Sequence, residues 1–97
     1  MPELAVFFGI SITIFYEDHD PPHIHASHGS KGMRFRASDW VAQITIGDGR
    51  VIGGLIPARD LKLVRTWLRL HDKALQAAWA AAKQGTPPGR IPPLRVR

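Results

Sequence analysis

The side chains best suited to chemistry lie in one short box, residues 18–25, which reads DHDPPHIH. Four of the five histidines fall between His19 and His28. If the chain is extended from His23 onward, His23 and His25 project to the same side of the strand and His28 to the other. Two imidazoles in this arrangement can reach one metal ion. Asp18 or His19, brought back by the Pro-Pro turn, would supply a third ligand.

Three interpretations of this box stay open. Three protein ligands and one open position suit a water-activating zinc ion, and the same donors also suit nickel, copper or iron. Without a metal, His23 and His25 would act as general base and general acid in RNA cleavage, with Asp18 or Asp20 orienting a ring. The third interpretation is structural: aspartate and proline stabilise a turn, and the histidines donate hydrogen bonds, are solvated or bind a partner.

His71 is a separate candidate, because it lies between Trp67 and Leu75 on the apolar face of a predicted helix. An imidazole there is costly unless it is hydrogen-bonded. It is either a satisfied core histidine or a residue that meets the box across the interface between sheet and helix. The catalytic candidates are His23 and His25, and the predicted metal ligands are Asp18, His19, His23, His25 and His71.

Composition sets the boundaries for this chemistry. A chain of 97 residues with 44% hydrophobic residues has room for one domain and one modest core. It contains no cysteine, which excludes disulfides and thiolate chemistry and favours a reducing compartment. The apolar segment from Leu4 to Tyr16 is too short to span a bilayer as a helix and lacks a basic start, so we expect a strand and a cytoplasmic protein.

The fold class predicted from periodicity is α+β. Alternating apolar residues predict about four to five short strands in the N-terminal half, including one at Met33–Ala37, in a small antiparallel sheet. Gly47-Asp48-Gly49 is typical of a hairpin turn. From about Pro57 to Gln84 the apolar period becomes helical, which predicts one long C-terminal helix that packs against the sheet.

This helix carries two further surfaces. With 13 Lys and Arg against 8 Asp and Glu, the formal net charge is +5, and positive potential favours nucleic acid or an acidic protein. A weaker apolar stripe, which includes Leu63 and Leu70, predicts a packing partner such as a second subunit or another protein. Alternatively, the alanines of that stripe only support helicity. The predicted binding residues for nucleic acid or an acidic partner form a basic ridge: Lys62, Arg65, Arg69 and Lys73.

Domain boundaries follow from the same patterns. Residues 1–85 are predicted to form a single domain. Residues 86–97 form a tail rich in proline and arginine that favours extended conformation. The tail either docks on its own domain through Ile91 and Leu94 or remains a free basic arm.

Residues 7–26, which read FFGISITIFYEDHDPPHIHA, resemble the start of a small bacterial family described as domain of unknown function 4160. The resemblance continues in the helix, where Trp67 and His71 have the spacing of a family element and residues 55–59 read LIPAR. Ile24 stands where the family generally has an aromatic residue. Residues 27–54 align poorly, so no family role is carried over to them.

The resemblance implies a function only indirectly. Members look like small proteins encoded beside another small protein, in the manner of toxin–antitoxin pairs. It therefore implies a toxin-like component of a two-protein module, with a nearby-encoded protein partner and possible action on RNA through the histidine box. The alternative is a non-catalytic protein-interaction or nucleic-acid-binding module, and a homodimer is compatible with either. Adjacency alone gives no mechanism.

Overall fold

The computed structural model of the chain describes residues 2–29 and 39–95. Within these residues an antiparallel sheet of five strands in the order β1-β2-β3-β4-β5 is followed by two helices, so the fold is α+β as predicted. The predicted strand at Met33–Ala37 lies outside the described residues. The elements are β1 (Glu3–Phe7), β2 (Ile10–Thr13), β3 (His23–His28), β4 (Trp40–Thr45), β5 (Val51–Gly54), α1 (Ala58–Leu70) and α2 (Asp72–Lys83).

The sheet has two chemically different faces, because successive side chains of a strand point to opposite sides. On the core face, Ile12 pairs with Ala26 and Ala26 with Ala42, and all three are buried. The opposite face, which we call the open face, consists of residues that are half-buried or exposed: Val6, Ser11, Thr13, His25, Ser27, Val41, Gln43 and Gly53. At one end of that same face His23 and Thr45 pair with each other and are buried.

Two tight connections set the register of the strands. The turn between β1 and β2 uses the left-handed region at Phe8 (φ 50°) and Gly9 (φ 79°). Between β4 and β5, Gly47 (φ 101°) and Gly49 (φ 65°) adopt the conformation that glycine tolerates best, and the Gly49 amide donates to the Thr45 carbonyl at 3.1 Å. The hairpin predicted at Gly47–Gly49 is therefore present.

The prediction of one long helix is wrong. The helical stretch divides at His71, whose φ of −121° and ψ of 28° lie outside the helical region. Asp72 then occupies the first turn of α2, where its carboxylate meets the positive helix end. Histidine and aspartate are weak helix formers, and aspartate favours helix starts over helix interiors, which accounts for a break at this pair. Apolar periodicity continues through the break and conceals it.

Both helices bury their apolar sides, and α1 packs against the core face of the sheet. Trp67 of α1 is fully buried, and its ring centroid lies 5.4 Å from that of Phe7. In α2, Leu75 is fully buried and Trp79 nearly so. Burial of large side chains such as these is the main source of stability in a domain of this size. In the described part of the chain, neither helix is long and apolar enough to cross a membrane.

The proline-rich tail packs back onto the domain. Ile91 is buried, and its amide donates to the Leu4 carbonyl of β1 at 2.9 Å. The Trp67 indole donates to the Pro92 carbonyl at 2.8 Å. At the surface, the Arg90 guanidinium lies 3.3 Å from the Glu3 carboxylate. Of the two alternatives for this segment, the structure shows the docked one for the described residues up to Arg95.

Candidate metal centre

The loop that carries the histidine box joins β2 to β3 and is tied to both neighbouring layers. The Glu17 amide donates to the Ala82 carbonyl in α2 at 3.0 Å. The Lys83 ammonium donates to the Asp18 carbonyl, also at 3.0 Å. On the other side, the Ile46 amide donates to the Pro22 carbonyl at 2.9 Å. These bonds fix the loop at both ends, and the peptide bond between Asp20 and Pro21 within it is cis.

Three side chains of the box converge on one point. The Oδ2 atom of Asp18 lies 3.0 Å from Nε2 of His23 and 3.1 Å from Nε2 of His25. The three potential ligand atoms all lie within 4.8 Å of one another. The two imidazoles come together because β3 begins at His23, which places both rings on the same side of the strand.

His23 is held in one orientation from two directions. Its Nδ1 atom donates to the Pro21 carbonyl at 2.7 Å. Its ring packs against the indole of Trp79, with centroids 5.3 Å apart, and the residue is only 5% exposed. A hydrogen on Nδ1 leaves Nε2 of a neutral ring as a lone pair directed at Asp18.

His25 is the more accessible of the two rings. It stacks on Phe15 with centroids 4.0 Å apart and an interplanar angle of 19°. Its side chain is 15% exposed. The ring also borders a hollow on the open face, together with Gln43 and Gly53. His25 therefore connects the buried cluster with the surface.

The Asp18 carboxylate is stabilised in its charged form. Burial acts to raise its pKa, but the hydrogen bond from His25, the hydrogen bond from the His19 amide at 2.8 Å and the charges that His23 and His25 carry when protonated together hold the pKa below its usual value. A carboxylate that stays ionised offers a negatively charged oxygen to a proton or a metal ion. Asp18 is therefore the anionic member of the cluster.

The other predicted metal ligands lie elsewhere. The side chain of His19 is exposed, and only its backbone amide contacts the cluster, through Oδ1 of Asp18. His71 lies at the junction of the two helices, with its ring 5.5 Å from that of Trp67. Neither residue belongs to the group of three that the structure brings together. His28 faces the core side of β3 and stacks on Trp40.

The predicted basic ridge lies on the helix side of the molecule. Lys62, Arg65, Arg69 and Lys73 are all exposed, and Nε of Arg65 donates to the Gly49 carbonyl at 2.9 Å. The helix residues that reach the histidine cluster are Trp79 and Lys83, near the C-terminal end of α2, whereas the ridge lies on α1 and the first turn of α2. Of the two predicted interface residues, Leu63 is half-buried against the core and Leu70 is 65% exposed.

Several residues around the cluster were not predicted. For Phe15 the sequence gives part of the signal, since Phe15 and Thr13 share strand parity; the register that pairs Thr13 with His25 and so brings the two rings together is seen only in the structure. Gln43 and Trp79 have no such signal. Gln43 reaches the site through the register of β3 with β4, and Trp79 through the packing of α2.

Comparison with known proteins identifies a family but no activity. The model of the family described as Domain of unknown function (DUF4160) matches residues 9–80, and the chain belongs to this family. The match covers the box, strands β2 to β5, all of α1 and most of α2. No curated protein and no solved structure matches the chain.

Proposed function

We propose that this protein binds one divalent transition-metal ion through Oδ2 of Asp18, Nε2 of His23 and Nε2 of His25. The observation that carries the proposal is the convergence of these three atoms within 4.8 Å of one another. Two imidazoles and one carboxylate form a ligand set that zinc and other first-row transition metals accept.

The hydrogen bonding of His23 adds a second argument. A neutral ring that donates from Nδ1 to Pro21 presents only a lone pair at Nε2. That lone pair lies 3.0 Å from the ionised Asp18 carboxylate, which is favourable only when a proton or a cation lies between the two atoms. The backbone carbonyl that orients His23 and the amide that orients Asp18 are the kind of second contacts that metal-ligating side chains usually make.

Zinc is the first candidate for the ion, with nickel, copper or iron as alternatives that the same donors accept. Three protein ligands leave a coordination position for water, and a bound divalent ion lowers the pKa of that water toward neutrality. His25 also borders a hollow on the open face, so a substrate bound there would lie beside one proposed ligand of the ion. The chemistry that follows from this arrangement is hydrolysis by metal-activated water.

A metal-free acid–base pair is the second candidate. It is favoured by the hydrogen bond that His25 donates to Asp18 at 3.1 Å, because a carboxylate orients an imidazole in this way in acid–base catalysis. In this version His23 and His25 would exchange protons with a substrate. Action on RNA would require a phosphate-binding surface beside the histidines, whereas the predicted basic ridge lies on α1 and the first turn of α2.

The toxin–antitoxin-like module, the nearby-encoded protein partner and a cytoplasmic location stay predictions from the sequence. Leu70, with 65% of its surface exposed, is the residue through which we propose to test a protein partner. Leu70→Glu should weaken partner binding and leave the fold intact, since the side chain makes little use of the core. If Leu70→Glu binds the partner as the parent chain does, the exposed helix surface around Leu70 is not the interface.

Elemental analysis and thermal unfolding test the metal proposal. The purified chain should contain one equivalent of metal, and a hundredfold excess of zinc over its Kd should stabilise it by about 2.7 kcal/mol. For a domain of this size the midpoint should rise by roughly 10–20 °C. A chelator should reverse the rise.

The box supplies a matched control. His23→Gln and His25→Gln should abolish metal binding, whereas His19→Gln should retain it, because the His19 ring lies outside the cluster. Absence of stoichiometric metal, together with an unchanged midpoint on adding zinc or chelator, would overturn the proposal. Activity that persists without metal but is lost in His23→Gln would favour the acid–base candidate.

A further inference from the structure

A hollow of about 90 Å³ opens on the open face beside the candidate metal centre. We infer that this hollow is the substrate subsite of that centre and that it takes a small uncharged carboxamide group. The inference rests on the proposed metal function and adds the substrate class to it. The hollow is lined by His25, Val41, Ala42, Gln43, Gly53 and Gly54.

The position of the hollow follows from strand register. His25 of β3 pairs with Gln43 of β4, and Gln43 pairs with Gly53 of β5, so the three residues form one row across the sheet. Side chains directly opposite each other in an antiparallel pair are neighbours. His25 is at once a member of the three-residue cluster and a wall of the hollow. A group bound in the hollow therefore lies next to a proposed ligand of the ion.

Gly53 makes room for the side chain of Gln43. A Cβ atom at position 53 would lie 3.1 Å from Oε1 and 3.3 Å from Cδ of Gln43, closer than ordinary van der Waals contact. Glycine here leaves the carboxamide of Gln43 lying across β5. A single water needs about 10–15 Å³ of such space, so the hollow admits a group of a few heavy atoms.

The chemistry of the lining selects an uncharged group with both a donor and an acceptor. None of the six lining residues is Asp, Glu, Lys or Arg, so a charged part of a ligand would find no opposite side-chain charge within the hollow itself. The carboxamide of Gln43 offers a carbonyl oxygen and an NH₂ group, which match the N–H and C=O of another amide. Val41, which is 48% exposed, adds apolar surface for a short alkyl substituent.

Cobalt-substituted protein tests this inference with acetohydroxamate as the probe. The probe joins two metal-binding oxygens to an amide N–H and a methyl group, and acetate is the comparison because it lacks the N–H. The visible absorption of bound cobalt reports ligand binding without requiring a turnover assay. The variants are Gln43→Leu, which removes the amide at similar volume, and Gly53→Ala, which displaces it. Val6→Ala, on the same face in β1, is the control.

Gln43→Leu and Gly53→Ala should each bind acetohydroxamate about tenfold more weakly than the parent chain, because hydrogen bonds in the hollow are removed. Their affinity for acetate should change less, and Val6→Ala should bind both probes as the parent does. If cobalt binds but all variants have the parent's affinity for acetohydroxamate, the subsite is wrong and the metal centre stands. If the parent chain takes up no cobalt, the metal function fails and the subsite falls with it.

Discussion

The open face and the helix side of this molecule differ in how their polar residues are organised. On the open face, the side chains of Asp18, His23 and His25 meet at one point beside a hollow whose lining has no Asp, Glu, Lys or Arg. On the helix side, the exposed basic residues are spread from Lys62 to Lys73, and Arg65 bonds to a backbone carbonyl. The net charge of +5 therefore does not mark the place where the potential metal ligands converge.

The largest expected effect is on the free energy of unfolding, and it should distinguish the buried core from the open face. Trp67→Ala should lower the free energy of unfolding by about 3–5 kcal/mol, since it empties a fully buried site in the core. Val41→Ala, at a 48% exposed position on the open face, should change it by less than about 0.5 kcal/mol. Urea unfolding followed by circular dichroism measures both. Equal losses for the two variants would contradict the division into core and open faces.

Two variants, one in the histidine cluster and one in the basic ridge, test whether zinc binding depends on the cluster alone. Asp18→Asn should weaken zinc binding by more than about 100-fold, because it removes a proposed ligand and its charge. Substitution of residues that only hydrogen-bond to metal ligands already lowers metal affinity by about 10- to 100-fold. A triple variant, Lys62→Gln with Arg69→Gln and Lys73→Gln, should bind zinc as the parent does. Arg65 is left in place because its bond to Gly49 supports the hairpin.

The same two variants address RNA. If the ridge binds RNA, the triple variant should have a lower affinity and a shallower dependence on salt, by roughly one unit of slope for each phosphate that is no longer bound. Asp18→Asn should leave RNA binding unchanged. Loss of zinc binding in the triple variant, or of RNA binding in Asp18→Asn, would show that the two sides form one functional surface.

The smallest effect concerns pH. The hydroxyl of Thr45 donates to Asp48, and this hydrogen bond is the main reason why the pKa of Asp48 lies below its usual 3.8. Desolvation acts to raise that pKa, and the charge of Arg50 acts to lower it. Because the folded pKa is lowered, the stabilisation is present above about pH 4 and is lost as the pH falls through the folded pKa. Asp48→Asn should therefore be slightly less stable than the parent near neutral pH, and in acid titrations of the unfolding midpoint the difference should disappear once the pH has fallen below the folded pKa. A difference that persists at low pH would mean that Asp48 acts by something other than its charge.

Local patterns in the sequence predict part of the candidate site. Strand parity correctly groups His23 with His25 and separates His28, because parity depends only on neighbouring residues. The turn chemistry of the box indicates that Asp18 returns toward β3. The choice between Asp18 and His19 as the third member depends on the course of the loop, which contacts in α2 and at Ile46 determine.

The break between the helices and the packing of the helices on the sheet could not be predicted from local sequence patterns. The helical period correctly places Val64, Trp67 and Leu75 on a buried side. It does not reveal the break at His71, because the same period resumes after it. It also does not show how the helices lie against the sheet, so the choice between the two alternatives for His71, a core histidine or a residue that meets the box, depends on a relation between elements that no local pattern contains.

The bond between the Glu17 amide and the Ala82 carbonyl makes the last turn of α2 part of the support of the histidine box. Helix ends fray more readily than helix centres, and each opening of this turn would release the backbone beside Asp18. A ligand that ties Asp18 to β3 would make such openings rarer. The rate at which the Glu17 amide exchanges its hydrogen with solvent therefore reports how often the backbone beside Asp18 is released. That rate is governed by α2, although α2 contributes no atom to the metal-ligand cluster.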